Sequence, residues 1–246
     1  MDKLESIADN IRQEFDARTA ARDKALATAR QLTRACSLAI RAAHRLEVDG
    51  IAGQLAEARS LADALRTSLV DYPELFFTGY TQDALKEFVE ANVTCALIQG
   101  QPLATPQDLD VAGATYLNGL AEVVGELRRR TLDILRHGYS EDAERLLTQM
   151  DDIYDVLVTM DYPDAVTNGL RRQTDIARSI IEKTRGDITF SLRGGQLEQA
   201  MRGLSRQLNG DPDGGQGDAP LRFESGQEEE SWPRAGGVIR SSFIAR

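Results

Sequence analysis

The chain has 246 residues, 41% hydrophobic and 6% aromatic, with 39 acidic against 29 basic side chains and a net charge of −10. That length supports a substantial core in one large or two small domains, and the Ala- and Leu-rich make-up favours helices. No apolar run approaches the ~20 residues that cross a bilayer, and Asp2, Lys3 and Glu5 stand where a secretory signal needs an apolar stretch, so a cytoplasmic protein without a membrane partner is expected.

Residues 2–46 read as one long helix or two nearly continuous ones. Leu4, Ile7, Ile11 and Phe15 mark its apolar stripe, and Leu26, Ala29, Leu32, Cys36, Ala39 and Ile40 continue it. Asp49-Gly50 stops it. A second helix runs from about Ile51 to Val70 on Leu55, Ala58, Leu61, Leu65 and Leu69. Thr81-Gln82-Asp83 opens a third, which ends near Gly100 before Pro102. Thr105-Pro106 starts a fourth that reaches His137-Gly138, where His137 suits the helix dipole and Gly138 the C-cap. Ser140-Glu141-Asp142 begins a fifth, through Met160. A sixth covers about Ala165 to Ser191 and closes at Gly194-Gly195, and a short seventh covers Gln196 to Leu208.

The expected fold is therefore an all-α bundle of about seven helices over residues 1–208. Beyond it, residues 209–246 lack any apolar period and read as a disordered acidic, Gly-rich tail carrying Trp232 and Phe243. Cys36 and Cys95 fall inside helical patterns, as buried free thiols rather than a disulfide or metal site.

Two carboxylate pairs at helical spacing carry the chemistry. Glu87 and Glu90 lie in Ala84-Leu85-Lys86-Glu87-Phe88-Val89-Glu90-Ala91, and Glu122 and Glu126 interrupt the apolar run Leu117 to Leu127. Spacings of three and four stack each pair on one helix face, and an unpaired charge on a packing face is costly. Such acids call for a cation. Spacing alone also fits a solvated face paired to Lys86 and Arg128. Asp83 suits a helix N-terminus better than a ligand position.

Among the basic residues only Lys3, Lys24, Lys86 and Lys183 are Lys, against 25 Arg. Adaptation to a salt-rich cytoplasm and a GC-rich coding bias both account for that choice. Net acidity leaves a nucleic-acid partner open, because local basic stripes decide that. Arg30, Arg34 and Arg41 on the first helix, with Arg171 and Arg172 on the sixth, are the candidates for phosphate contact, since the Arg fork grips phosphate in two-point fashion. Few aromatics accompany them, which favours backbone-directed, sequence-tolerant binding.

The stretch 79–130, through the Lys86-Glu87-Phe88-Val89-Glu90-Ala91 block and the Gly125-Glu126-Leu127-Arg128-Arg129 block, resembles the translin family, specifically the branch of translin-associated factor X. Asn168-Gly169-Leu170-Arg171-Arg172-Gln173 is similar in place and character. The resemblance implies a seven-helix bundle assembled into a homo-oligomeric, octamer-like shell. It implies a magnesium-dependent endoribonuclease (manganese as an alternative ion) acting on single-stranded RNA, with single-stranded DNA also a ligand. In that reading Glu87, Glu90 and Glu122 are catalytic and hold the metal with Glu126, two neighbouring antiparallel helices supplying the acids. Where the family carries an aspartate, this chain has Glu122, which keeps the charge and changes the reach. The alternative is a translin-like protein that binds single-stranded nucleic acid without cleaving it.

Overall fold

The computed structural model describes residues 2–208, and these form nine helical segments and no strand. In chain order they are α1 (Asp2–His44), α2 (Val48–Ser68), α3 (Pro73–Phe76), α4 (Gly79–Gln99), α5 (Pro106–Leu109), α6 (Gly113–Leu135), α7 (Glu141–Val158), α8 (Asp164–Thr167) and α9 (Leu170–Leu208). The chain divides into residues 1–202 and 203–246, and of the second unit only the last residues of α9 are described. The expected boundary at 208/209 and the tail with Trp232 and Phe243 lie outside the described residues. None of the described helices is long and apolar enough to cross a membrane.

Helix α4 is central and packs on α1, α2, α3 and α6. Its buried stripe of Leu85, Phe88 and Val89 meets Leu32 of α1 and Val123, Val124 and Leu127 of α6 in one core, which Leu146 and Met150 of α7 complete. Cys36 and Cys95 are free and buried, as expected. Burial and the nearby Glu87 and Glu90 charges hold the Cys36 thiol well above its ordinary range, while burial pushes Cys95 up to about 12. Both are inert hydrophobes.

The all-α expectation holds, with two changes of boundary. The expected fourth helix is broken. Thr105 caps α5, accepting from the Asp108 amide at 3.1 Å while Asp108 Oδ2 accepts from the Thr105 amide at 2.8 Å. Asp110 then turns left-handed at φ 52°. Arg59 and Arg66 of α2 fix this turn by donating to the carbonyls of Asp108 and Leu109 at 2.7 and 2.6 Å. The expected sixth and seventh helices differ in the opposite sense: α9 runs unbroken through Gly194-Gly195, because neither glycine takes a positive φ. Glycine permits a stop without forcing one.

A third correction concerns direction. Gln82 of α4 pairs with Thr115 of α6 at 2.7 Å, and four residues on Lys86 pairs with Glu122. Partners advance together along both helices, so α4 and α6 run parallel, not antiparallel. The crossing segment that holds α5 carries the chain back to the level where α4 began.

The N-terminal half of α1 is also unlike its expectation. Its buried residues begin at Ala25. Leu4, Ile7, Ile11 and Phe15 form the expected stripe yet stay 44–69% exposed, because no described helix of the same chain covers them.

Candidate functional site

The face is built where α4 and α6 approach most closely. A Cβ on Gly119 would sit 2.8 Å from the Lys86 carbonyl oxygen and 2.8 Å from Val89 Cβ, so only glycine allows this approach. One turn beyond it α6 presents Glu122, and another turn on, Glu126. Across the seam α4 presents Glu87 and Glu90. All four acids are half-buried at the edge of the apolar core.

Their environments differ, and the differences show that they share one electrostatic neighbourhood. Burial and the Glu122, Glu126 and Glu87 carboxylates push Glu90 up to about 8, against a smaller opposing pull from Lys86. Burial and Glu122 also raise Glu87. Neither Glu87 nor Glu90 has an ion pair among the described residues. Glu122 does, through Lys86 Nζ at 2.7 Å from its Oε1, and Asp83 lies 3.7 Å from the same ammonium. Burial works against the charged form of Lys86, but the hydrogen bond and charge of Glu122 outweigh it and hold the ammonium above its ordinary range. Glu126 is shifted the other way, held below the usual carboxylate range by a hydrogen bond from His44 Nε2 at 2.5 Å and helped by Arg129 at 3.8 Å.

Among the described residues no group of three or more His, Cys, Asp or Glu side chains stands ready to enclose a metal ion. Lys86 occupies Glu122 and His44 occupies Glu126. The donors nevertheless suit magnesium, which takes hard oxygens, keeps several waters and is held by one or two carboxylates plus a substrate phosphate. Glu87 and Glu90 offer such oxygens without a counter-ion of their own.

Of the cations the sequence offered as partners, Lys86 pairs here and Arg128 does not. Arg128 reaches α9 instead, at 2.9 Å from Thr184 Oγ1 and 2.9 Å from Asp187 Oδ2. His44 is the residue that sequence reasoning missed. It ends α1, where its place near the helix dipole is visible, but its partner lies 82 residues away.

Arg30, Arg34 and Arg41 are exposed on α1, and Arg171 and Arg172 are exposed near the start of α9. None of the five has a carboxylate partner among the described residues. Two of them line different clefts. Arg34 lines a groove with Gln54 and Glu57 of α2. Arg171 lies in a cleft of about 810 Å³ with Tyr154 and Tyr162, near the end of α7.

Glu90 makes the metal-free fold pH-dependent. Its folded value stands above its unfolded one, so between about pH 5 and 8 the folded state binds more protons, and stability falls as pH rises. Melting temperature measured across that window in EDTA is expected to decline, and Glu90→Gln to flatten the decline.

No protein-family model matches the chain. An uncharacterised protein of Methanocaldococcus jannaschii is 34% identical over 192 residues, spanning 76% of this chain and 85% of the relative. Among solved structures, the AfC3PO complex with duplex RNA and AfC3PO itself each match at TM-score 0.70 and 32% identity, covering 76% of this chain and 97% of theirs. The chain belongs to the translin family. Apo-NeC3PO shares the fold at TM-score 0.69 and 21% identity, over 75% of this chain and 96% of that one. Translin-type helices thus frame the acidic seam between α4 and α6.

Proposed function

We propose that this chain is a magnesium-dependent endoribonuclease of the factor X branch, cytoplasmic and acting on single-stranded RNA within a homo-oligomeric, octamer-like shell. One observation carries the reading: four half-buried carboxylates share a seam in which Glu87 and Glu90 have no cation of their own. Manganese would suit the same oxygens. The kinship with AfC3PO, whose complex with duplex RNA is solved, supports an RNA-directed role.

In this mechanism Glu87, Glu90 and Glu122 would hold the ion. The ion, when bound there, would supply a polarised phosphodiester and a water of lowered pKa. Glu126, kept ionised and oriented by His44, accepts a hydrogen bond from the attacking water. Lys86, were the ion to displace it from Glu122, would stand beside the seam as a donor to a non-bridging phosphate oxygen. The unpaired Arg30, Arg34 and Arg41 on α1, with Arg171 and Arg172 on α9, meet the RNA backbone at separate points.

The test is labelled single-stranded RNA, and a duplex of the same sequence, incubated with purified protein in magnesium, manganese or EDTA. Cleavage of the single strand with either metal and none in EDTA is expected. The absence of a ready three-donor cage favours a second reading, a binding protein without catalysis. That reading predicts a gel shift with no cleavage in either metal.

Lys86→Met separates ligand from competitor. With the resident ammonium gone, the seam gains uncompensated charge. Magnesium is expected to raise the variant's melting temperature at up to about fivefold lower concentration than in the wild type, since up to ~1 kcal/mol of competing ion pair is removed. An unchanged magnesium midpoint would rule out Lys86 as a competitor.

Assembly rests on the exposed stripe of α1, with Phe190 of α9 81% exposed as well. Contiguous apolar faces of this kind mark association surfaces. Ile11→Glu with Phe15→Glu is expected to lower the mass measured by light scattering while leaving the helical signal of the subunit.

A further inference from the structure

A cavity of about 450 Å³ lies where α1 and α6 end and α7 begins, lined by His44, Arg130, Asp133, Arg136, His137 and Tyr139. It gathers both histidines of a chain that has only two. Arg130 is half-buried and has no carboxylate partner among the described residues. One of its donors caps α1 through the His44 carbonyl at 3.2 Å, which leaves most of its five-donor fork unclaimed. Arg136 is held only loosely by Asp133, at 3.9 Å, and the side chain of His137 has no partner among the described residues. His44 lines the inner wall of the same cavity. Its side chain is only 5% exposed, its Nε2 is committed to Glu126, and its Nδ1 is buried without a partner. Buried polar atoms of this kind are ordinarily satisfied, and with Nε2 donating to Glu126 the Nδ1 is the acceptor of the ring, which a bound water satisfies.

We propose that this cavity is a phosphate-binding site, with Arg130 as its anchor and Arg136 and His137 at its mouth. The cations at the ends of α1 and α6 also complement the helix dipoles, but one donor of Arg130 does that work and the rest remain. A guanidinium fork without a carboxylate, in a protein of net charge −10, selects a planar or tetrahedral oxyanion. His44 joins the cavity directly to Glu126 of the acidic seam, so a phosphate held here lies within reach of nucleic acid on that seam. The carrier's identity as RNA rests on the proposed function, whereas the phosphate chemistry does not.

The test uses the full-length protein in EDTA, which silences any metal-dependent reaction. Inorganic phosphate is titrated by equilibrium dialysis and by melting temperature, against chloride at equal ionic strength to remove screening effects. Wild type is expected to bind phosphate and gain melting temperature. Arg130→Gln and, separately, Arg136→Gln with His137→Gln are each expected to weaken binding about tenfold, the scale of one lost charge-assisted contact. The second variant alters only exposed side chains, so it stays informative if Arg130→Gln misfolds. Two RNA 12-mers, with and without a 5′-phosphate, then distinguish the source. Equal losses in the variants identify a backbone phosphate, and a loss confined to the phosphorylated strand identifies a terminal one. Glu90→Gln is expected to keep phosphate binding, which separates this site from the nuclease reading. No phosphate binding by wild type, or unchanged binding in the mouth variant, overturns the proposal.

Discussion

Glu90→Gln is expected to lower magnesium-dependent RNA cleavage roughly a thousandfold, as several kcal/mol of metal-borne transition-state stabilisation are lost, while raising the melting temperature of the metal-free protein at pH 8. The two effects come from one cause. In the seam Glu90 is the acid on which burial and three neighbouring carboxylates converge, which keeps it protonated up to about pH 8. Ionising it there costs the fold on the order of a few kcal/mol, and an amide avoids that cost while keeping the shape. A divalent ion would reverse the balance, because Glu90 would then ionise into a favourable field and release a proton. Magnesium should therefore stabilise the wild type more as pH rises, and stabilise Glu90→Gln little at any pH. Single-turnover cleavage and thermal melts at pH 6 and pH 8, each with magnesium or EDTA, check both halves. A variant that cleaves normally would show that Glu90 is merely a strained surface acid. A variant that loses activity and also melts lower would point to damaged packing instead of a lost ligand.

What could be read from the chain alone was whatever depends on near neighbours. The helix start at Thr105-Pro106 was legible because its capping box closes within four residues. The stacking of Glu87 with Glu90, and of Glu122 with Glu126, was legible because helical periodicity is local. The break at Asp110 was not, since Arg59 and Arg66 stabilise that turn from more than forty residues away. Gly194-Gly195 misled in the other direction, because their weak helix propensity, about 1 kcal/mol each, does not overcome the continuity of α9. At the site, the acids could be named but not their partners. The pairing of His44 with Glu126 and the parallel course of α4 and α6 both depend on how the crossing segment returns the chain. The apolar stripe at Leu4, Ile7, Ile11 and Phe15 was read correctly as a stripe, yet its exposure within one subunit has no local signature.

Gly119→Ala is expected to destabilise the protein by about 1–3 kcal/mol, the usual range for overpacking a core, and to weaken magnesium binding in the same variant. The added methyl would meet the Lys86 carbonyl oxygen and Val89 Cβ at 2.8 Å each and Val89 Cγ1 at 2.9 Å. A carbonyl in the middle of a helix cannot turn aside as a side chain tip can, so the helices must move apart. Alanine's better helix propensity offsets up to about 1 kcal/mol of that cost, which leaves a net loss. Widening the seam at Gly119 moves Glu122 away from Lys86 and from Glu87, since all three are anchored within one turn of the contact. The coupling of Glu90 to its neighbours weakens with that distance, so the pH dependence of the metal-free protein should flatten as the magnesium response shrinks. Denaturant unfolding and a magnesium titration of melting temperature measure the two effects together. Loss of stability with a full magnesium response would mean that the close approach serves packing alone. Loss of both identifies Gly119 as the residue that sets the spacing of the carboxylates.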